Sequence, residues 1–320
     1  MKLINSKVEI LEPTGYTIDD IYKQIEIAGR TCYKSEDKIT PTSAKEFVDR
    51  MIKSGHGAML EHGTVYLDVP NSAGNYNLVP FFASNPYSKV VIKPLNDRVH
   101  NYITTNFRVI VENFAEEYIP DVLQYSCEPT VFHEKRISVR WTCDRVTGES
   151  FLRHRVFSFA RESTRYCNYS KDKFGNELTF IVPTWCNDLQ DGVTFKDRLD
   201  VNKFVWGDID YEGINNIKVD EYTRTFLYSN IDSELNYIGL INKGYKPQQA
   251  RQILPFCIKS PLIMTGFESD WKHFFELRCD TAAHPDARKL ALELYNKLYN
   301  KEYGKERYIN KSIDENKEKQ

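Results

Sequence analysis

Apolar residues recur along this chain in two patterns, one typical of strands and one typical of helices. Residues 63–69 alternate between apolar and polar types, and residues 7–13 and 136–144 are also predicted strands. Elsewhere the apolar residues recur every three or four positions, which predicts helices over residues 17–33, 43–55, 104–118, 146–163, 220–245, 269–280 and 284–300. Thr17 and Ser43 are the expected N-caps of the first two helices, because a hydroxyl there accepts a hydrogen bond from a free backbone N–H group.

Two of these helices carry an apolar face that we expect to be buried. In the helix over residues 43–55 this face holds Phe47, Met51 and Ile52. In the last helix it is built from small and branched residues, namely Ala287, Leu290, Ala291, Leu294 and Leu298. The spacing of four between the leucines predicts that this last helix packs in the core.

Residues 70–134 differ in composition from the segments around them. They begin with a turn-rich stretch, which is followed by the helix over residues 104–118. We interpret them as an insertion in one domain that spans residues 1–300. The remaining residues, 301–320, are polar and are expected to form a frayed tail.

The composition excludes several classes of protein. The net charge of the 320-residue chain is −2, so a generally basic surface for duplex nucleic acid is absent, and any anion site must be local. No run of eighteen apolar residues occurs and no apolar leader opens the sequence, which argues against a membrane protein. The seven cysteines are scattered without CxxC spacing, so we expect free thiols in a cytoplasmic protein.

Residues 151–163 concentrate arginines among aromatic rings. If they form a helix with about 100° per residue, then one side is apolar, with Leu152, Val156, Phe159 and Ala160. The other side is polar, with His154, Arg155, Ser158, Arg161 and Glu162. Arg153 lies at the margin of the apolar side. Two interpretations stay open: a solvated cationic face, or a site for an anion that guanidinium groups bind in pairs of hydrogen bonds.

Two further arginines occupy unusual places. Arg278 stands seven residues after Trp271 and so continues the buried stripe that Trp271, Phe274 and Phe275 form. Arg251 lies on a short segment that ends at Pro255. Each side chain either reaches past apolar neighbours to solvent or faces a ligand in a cleft.

Four motifs, in order, resemble those of the flavin-dependent thymidylate synthases. The first is HGAMLEH at residues 56–62. The second is Arg153-His154-Arg155, followed after seven residues by Ser163 and then by Arg165 and Tyr166. The third is ARQILP at residues 250–255, and the fourth is WKHFFELRCD at residues 271–280. The resemblance covers most of the chain apart from residues 70–134 and the tail.

The resemblance implies a fold, a reaction and an assembly. The fold would be α/β (α+β), with a central mixed or antiparallel sheet flanked by helices. The reaction would convert dUMP to dTMP, with 5,10-methylenetetrahydrofolate as carbon donor, FAD as hydride carrier and NADPH as reductant. The enzyme would be a homotetramer with its sites at subunit interfaces, and it would need no metal, nucleic acid or membrane.

The resemblance also implies which residues form the site. Arg278 would be the catalytic residue, placed against the uracil to favour its ionised form. The FAD-binding residues would be His56, Ala58, Glu61, Arg153, His154, Arg155, Arg161 and His273. The dUMP-binding residues would be Ser150, Arg153, Arg161, Glu162, Ser163, Thr164, Arg165, Arg278 and, from a neighbouring chain, Arg251.

Four positions depart from the family pattern. Arg161 stands where other members commonly have Glu or Gln, and Ser150 stands where many have Gln. Ser269 and Ala282 replace an arginine and a histidine that some members carry, and His284 follows two residues after Ala282. These departures affect one pyrimidine contact and the FAD contacts at the C-terminal end.

Two other functions are compatible with parts of the sequence, and a third is disfavoured. A thymidylate synthase or hydroxymethylase of the unrelated type would use a cysteine nucleophile, and Cys257 is the one candidate. A single-strand nucleic-acid binder could use the arginines and aromatic rings of residues 151–170. A metal hydrolase is disfavoured, because the seven histidines form no HxH or HExxH pair.

Overall fold

The structure is a computed structural model of the 320-residue chain, and it describes residues 1–71, 78–95, 98–171, 176–186, 189–206 and 219–300. The predicted tail, residues 301–320, and a few residues of the predicted insertion therefore lie outside the described residues. Within the described part, no helix has both the length and the apolarity that a bilayer crossing needs.

The described chain folds into strands and α-helices. The strands are β1 (Lys2–Ile4), β2 (Lys7–Ile10), β3 (Thr64–Pro70), β4 (Lys89–Leu95), β5 (Arg98–Asn106), β6 (Arg136–Thr142), β7 (Ser158–Arg161), β8 (Thr179–Ile181) and β9 (Leu262–Phe267). The helices are α1 (Ile18–Tyr33), α2 (Ser43–Lys53), α3 (Gly57–Leu60), α4 (Leu78–Ser84), α5 (Phe107–Asn113), α6 (Ile119–Leu123), α7 (Arg145–Leu152), α8 (Arg198–Trp206), α9 (Glu221–Asn242), α10 (Pro247–Ala250), α11 (Glu268–Arg278) and α12 (Pro285–Tyr299).

A four-stranded antiparallel sheet has the strand order β2-β6-β9-β7, and the C-terminal helices pack on it. All six residues of β9 are buried, as expected for a strand with neighbours on both edges. Helices α11 and α12 bury their apolar faces against this sheet, and Trp141 of β6 stacks on Phe274 with ring centroids 5.7 Å apart. The predicted α/β class with an antiparallel sheet flanked by helices is confirmed.

A second antiparallel sheet, in the order β3-β5-β4, takes two of its three strands from residues 70–134. Ile103 and Phe107 of this segment share one core with Ile25 of α1 and Phe47 of α2. Our prediction of a helix over residues 104–118 is only partly right. Residues 104–106 belong to β5, and the Asn106 side chain then accepts from the Val109 backbone N–H and begins a shorter helix.

Most of the predicted helices are present, with small differences at their ends. Thr17 caps α1 through a reciprocal contact with Asp20, as the sequence indicates. In α2 the cap position is Thr42 rather than Ser43, and Ile52 is 41% exposed, although Phe47 and Met51 are buried. In α12 Leu290 and Leu294 are fully buried, which confirms the core face predicted for the last helix.

The sequence predicts a helix over residues 146–163, and the structure confirms only the part up to Leu152. Helix α7 ends at Leu152, and after a turn the chain continues as β7, which pairs with β9 over 100 residues later in the sequence. These residues form a strand and not a helix because pairing with β9 satisfies the backbone N–H and C=O groups of both segments. The side assignments change accordingly: Val156 is 64% exposed, whereas His154 and Glu162 are buried.

Candidate active site

Arg278 lies at the C-terminal end of α11, where the buried stripe of that helix meets a cleft. Its neighbours along the stripe, Trp271 and Phe274, are fully buried, and Arg278 itself is half-buried. Its Nε donates to His154 Nε2 at 2.9 Å, and its Nη2 donates to the carbonyl oxygen of Ser150 at 2.6 Å. Two fixed hydrogen bonds orient the guanidinium, so the side chain does not simply reach to solvent.

His154 is buried and packs against Phe274 with ring centroids 5.0 Å apart. Burial, followed by the positive charge of Arg278, lowers the pKa of His154 to about 4. The imidazole is therefore neutral near pH 7, with its lone pair on Nε2 toward Arg278 and its proton on Nδ1. This tautomer follows from the contact, because a guanidinium can only donate.

A cleft with a volume of about 760 Å³ opens beside Arg278, and we call it the Arg278 cleft. It is lined by the predicted FAD residues Arg153, His154, Arg155 and His273. Its other lining residues include the apolar Val156, Leu277, Ala282 and Ala283 and the acidic Asp270, Glu276 and Asp280. Arginine forks next to apolar side chains suit a ligand that has both an anionic group and a flat ring.

A second, smaller cleft of about 290 Å³ contains part of the predicted nucleotide site, and we call it the Arg251 cleft. Arg251 Nη1 donates to the Thr164 hydroxyl at 3.3 Å within the same chain. The resemblance implied that a neighbouring chain supplies Arg251, but one chain brings these two residues together. Arg145 and Gln252 also line this cleft.

The other predicted nucleotide residues lie around this contact, and they differ in their exposure to solvent and in their hydrogen-bond partners. The Ser163 hydroxyl accepts from the Arg165 backbone N–H at 3.4 Å, and the Arg165 guanidinium is exposed above the Tyr166 ring. Glu162 instead points inward, where it is buried and accepts a hydrogen bond from the Tyr169 hydroxyl at 2.7 Å. The Glu162 carboxylate therefore contacts the protein interior and does not face a cleft.

Arg161 has its hydrogen-bonding groups occupied by the protein itself. Nε donates to the Ser260 hydroxyl at 2.7 Å, Nη1 to Glu149 Oε1 at 2.8 Å, and Nη2 to the Arg145 carbonyl at 3.0 Å. Arg161 is absent from the described linings of both clefts. The arginine at this position therefore has a structural role: its hydrogen bonds join β7 to the start of α7.

The residues of the HGAMLEH motif lie apart from the Arg278 cleft. Ala58 is exposed on α3, and His56 Nδ1 pairs with the Tyr33 hydroxyl at 2.9 Å. Glu61 Oε1 accepts from Arg108 Nη1 at 2.6 Å, and both residues line another cleft of about 300 Å³. Apart from Arg161, the predicted FAD residues therefore fall into two groups within a single chain.

Two arginines that sequence reasoning missed lie at these sites. Arg145 is the first residue of α7 and lines the Arg251 cleft, and Arg108 is paired with Glu61. Neither belongs to one of the four motifs. Contacts between segments that are distant in sequence bring both arginines to the clefts. No local sequence pattern therefore indicates that either of them lies at a site.

Of the remaining departures from the family pattern, Ser150 and Ser269 have local hydrogen-bond partners, and nothing in the structure explains Ala282. The Ser150 hydroxyl donates to the Thr147 carbonyl at 2.7 Å inside α7. Arg278 is therefore bound by the Ser150 carbonyl oxygen and not by the Ser150 side chain. The Ser269 hydroxyl donates to Glu134, and Ala282 lines the Arg278 cleft. His284 is exposed and contacts the edge of Trp185, with ring centroids 5.7 Å apart.

The cysteines show no sign of an activated nucleophile. Cys257 donates to the Asn230 side-chain oxygen at 3.0 Å, and burial raises its pKa to about 12. Cys127 lies 3.9 Å from His133 Nε2, but that nitrogen also contacts the Leu67 carbonyl at 3.0 Å, and burial raises the pKa of Cys127 to about 11. Among the residues that the structure describes, no group of three or more potential ligands could hold a metal ion.

Residues 81–301, more than half of the chain, match the family model of the thymidylate synthase complementing protein. Similar curated proteins are named flavin-dependent thymidylate synthases. The one from Pyrococcus furiosus is 28% identical over 60% of this chain and 65% of its own length, so this chain spans slightly less than two thirds of it. The one from Corynebacterium efficiens is 22% identical over 85% of this chain and 73% of its own length.

A solved structure covers 93% of this chain and 93% of its own, with a TM-score of 0.39 and 16% identity. It is described as a UMP/dUMP methylase PolB from Streptomyces cacaoi bound with 5-Br dUMP. The family match includes three of the four motifs, and HGAMLEH at residues 56–62 precedes it.

Proposed function

This chain belongs to the thymidylate synthase complementing protein family, and we propose that it is a flavin-dependent thymidylate synthase that methylates dUMP to dTMP. The family match confirms the resemblance that the motifs indicated. In the proposed reaction 5,10-methylenetetrahydrofolate supplies the carbon, and NADPH supplies the reducing equivalents. FAD, when bound, supplies the hydride.

The arrangement of Arg278 is the observation that carries this proposal. Its Nε and Nη2 are held by His154 and Ser150, while its Nη1 makes no hydrogen bond to any residue that the structure describes. The free edge of an oriented guanidinium lines the cleft. A uracil whose amide edge faced it would gain stabilisation of negative charge on the ring, and carbon 5 would become a better nucleophile.

The residues of the Arg278 cleft fit a flavin in the chemistry they offer. Arg153 and Arg155 are exposed cations on the rim, where they would hold the anionic part of the cofactor. Val156 and Leu277 are exposed apolar side chains, at 64% and 49%, and would cover a ring system. His273 lines the same cleft and would contact the cofactor from α11.

The nucleotide phosphate is assigned to the Arg251 cleft. Thr164 and Arg251 provide a hydroxyl and a guanidinium in contact with each other, and Ser163 and Arg165 lie on the adjoining turn. Binding the phosphate there would fix the position of the ring for reaction. Ser163 lacks a partner base in the described contacts, so its proposed role is binding.

We assign the complete site to a homotetramer. His56, Ala58 and Glu61 lie apart from the Arg278 cleft within one chain, and a neighbouring subunit would supply the missing group. Light scattering on the FAD-loaded protein should therefore give a tetramer, and dissociation should release the flavin. A monomer with full flavin occupancy contradicts this assignment.

We also assign the protein to the cytoplasm. Its seven cysteines are free thiols, and four of them are buried. Thiols persist in this form in reducing compartments. Fractionation of the source cells with an antibody against the protein tests the assignment.

An assay of the purified protein tests the proposed function. The protein should be yellow, with a flavin absorption spectrum, and the spectrum should change when dUMP is added. Thymidylate should form only when dUMP, methylenetetrahydrofolate and NADPH are all present. A colourless preparation that cannot be loaded with FAD, or product without flavin, contradicts the proposal.

A further inference from the structure

We propose that Arg145 is a second guanidinium of the Arg251 cleft and that it determines affinity for the phosphate group of the nucleotide. This inference rests on the proposed function only for the identity of the ligand. The position of Arg145 itself follows from the Arg251 cleft, where it lines the same small volume as Arg251 and Thr164.

The charge of this cleft favours an oxyanion. Its described lining contains two arginines, the Thr164 hydroxyl and the Gln252 amide, and it contains no acidic residue. Two guanidiniums on one small cleft repel each other unless an anion lies between them. A phosphate monoester, with up to two negative charges and several acceptor oxygens, satisfies both.

The backbone of Arg145 is fixed on both sides. Its N–H donates to the Phe256 carbonyl at 2.9 Å, and its carbonyl accepts from Arg161 Nη2 at 3.0 Å. The first contact joins the start of α7 to the segment that follows Arg251. Arg145 is therefore held in place relative to Arg251 before any ligand arrives, which lowers the entropy cost of binding.

The guanidinium of Arg145 has only a weak ion pair to compete with a ligand. Glu149 Oε1 lies 3.6 Å from Arg145 Nη2, but the same oxygen accepts from Arg161 Nη1 at the shorter distance of 2.8 Å. The Arg145 side chain is 41% exposed, so this pair contributes little. The Glu149 carboxylate thus pairs mainly with Arg161, which links the departure of Arg161 from the family pattern to the new site.

The apolar residues of the cleft indicate where the rest of the ligand lies. Leu254, Phe256 and Ile258 also line it, and Phe256 is 73% exposed. A free inorganic phosphate would use only the cations, whereas the sugar of a nucleotide would also cover the Phe256 ring. The shared chemistry is the phosphate group, and comparison of the two ligands separates the sources.

Calorimetric titration of the FAD-loaded protein tests the proposal with dUMP, deoxyuridine and inorganic phosphate. Arg145→Gln should weaken dUMP and inorganic phosphate by about tenfold to a hundredfold, the range expected for a charge-assisted contact. Arg145→Lys should recover part of the affinity. Deoxyuridine has no phosphate, so the variant should bind it as the wild type does.

Arg224→Gln is the matched control. Arg224 lies in the first turn of α9, has an acidic partner in Glu221, is 30% exposed and is absent from the described linings of both clefts. This variant should bind all three ligands normally. Circular dichroism and the melting temperature of each variant establish that it is folded.

Two results overturn the inference: unchanged affinity of Arg145→Gln for inorganic phosphate, or an equal loss of affinity for dUMP and deoxyuridine. Failure of the proposed function has a different signature. In that case the wild type makes no thymidylate, yet its affinity for inorganic phosphate still depends on Arg145.

Discussion

Arg278 Nε and His154 Nε2 are joined by a hydrogen bond of 2.9 Å across 124 positions of sequence. The contact links the end of α11 to the turn between α7 and β7, so it joins two of the four motifs. It also fixes the protonation state of the histidine, because a protonated Nε2 cannot accept. His154 is thus a positioning residue, and its buried ring orients the Arg278 guanidinium.

Replacing Arg278 with lysine should reduce turnover although the positive charge remains. A lysine ammonium cannot make both the His154 and Ser150 contacts and still present a planar edge to a ligand. The expected loss in kcat is one to three powers of ten, or about 1.4 kcal/mol for each power. Turnover is measured at saturating dUMP in the FAD-loaded enzyme.

Arg288→Lys serves as the control for this substitution. Arg288 is also partly buried and donates Nε to a carbonyl, that of Cys279, at 3.1 Å, but it is absent from the described linings of both clefts. It should keep wild-type turnover. Equal turnover in Arg278→Lys and the wild type would show that the Arg278 fork has no role in the reaction.

The stability of the protein should fall as the pH decreases from 6.5 to 5. Burial lowers the pKa of His154 to about 4 and that of His62 to about 3, against about 6.5 in the unfolded chain. Their folded pKa values are depressed, so both rings take up a proton on unfolding within this window. The pair should reduce the free energy of unfolding by up to about 2.7 kcal/mol per pH unit.

Urea unfolding at several pH values measures this slope. His154→Asn should reduce the slope by up to about 1.4 kcal/mol per pH unit, because one linked proton is lost. A slope that is the same in His154→Asn and the wild type contradicts the assignment of a buried neutral His154.

Elements whose capping residues or buried face lie within one short segment could be predicted from the sequence. Helix α1 has its capping residues within the segment, and α12 has its whole buried face there. Strand β7 could not be predicted, because its residues also fit a helical wheel and only β9, about a hundred residues later, decides between the two. The motifs indicated Arg278, Arg251 and Thr164 by resemblance, but Arg145 and Arg108 reach the clefts only through tertiary packing.

Gly266→Ala should destabilise the protein by about 1–3 kcal/mol, the usual cost of overpacking a core. A Cβ at this position in β9 would lie 2.3 Å from Cδ1 of Phe157. Phe157 cannot move away easily, because it is buried against Trp271 with ring centroids 4.7 Å apart. Urea unfolding of the variant gives the loss.

Gly239→Ala is the matched control for a glycine substitution. Gly239 lies within α9, and a Cβ there would meet no atom within 4 Å. Alanine should stabilise this helix by about 0.5–1 kcal/mol. If Gly266→Ala is as stable as the wild type, then the close contact of Phe157 with β9 is not a determinant of the fold.

Arg108→Gln should lower the affinity for FAD by about tenfold, if Glu61 contacts the cofactor as proposed. Arg108 Nη1 holds Glu61 Oε1, and its Nε holds Glu112 Oε1 at 2.7 Å, so its loss frees the Glu61 side chain. A lost charge-assisted hydrogen bond has an effect of this size. Fluorescence titration of the apoprotein with FAD measures the affinity, and Arg108→Lys should restore part of it.

Arg198→Gln is the control for the Arg108 prediction. Arg198 is also paired with a carboxylate, Asp232 at 3.5 Å, but it lies on α8 and is absent from the described linings of the clefts. It should bind FAD normally. If Arg108→Gln binds FAD as tightly as this control, then Arg108 does not position Glu61 for the cofactor.

Cys257→Ala should retain wild-type turnover, because the proposed reaction needs no enzyme thiolate. Burial raises the pKa of Cys257 to about 12, so the side chain is a thiol and not a nucleophilic thiolate near neutral pH. The substitution should instead reduce stability by about 1 kcal/mol, since it removes the hydrogen bond to Asn230. Turnover and urea unfolding of the same preparation separate the two effects. A folded, FAD-loaded Cys257→Ala protein without activity, together with a stoichiometric covalent nucleotide adduct on Cys257 in the wild type, would establish the cysteine mechanism instead.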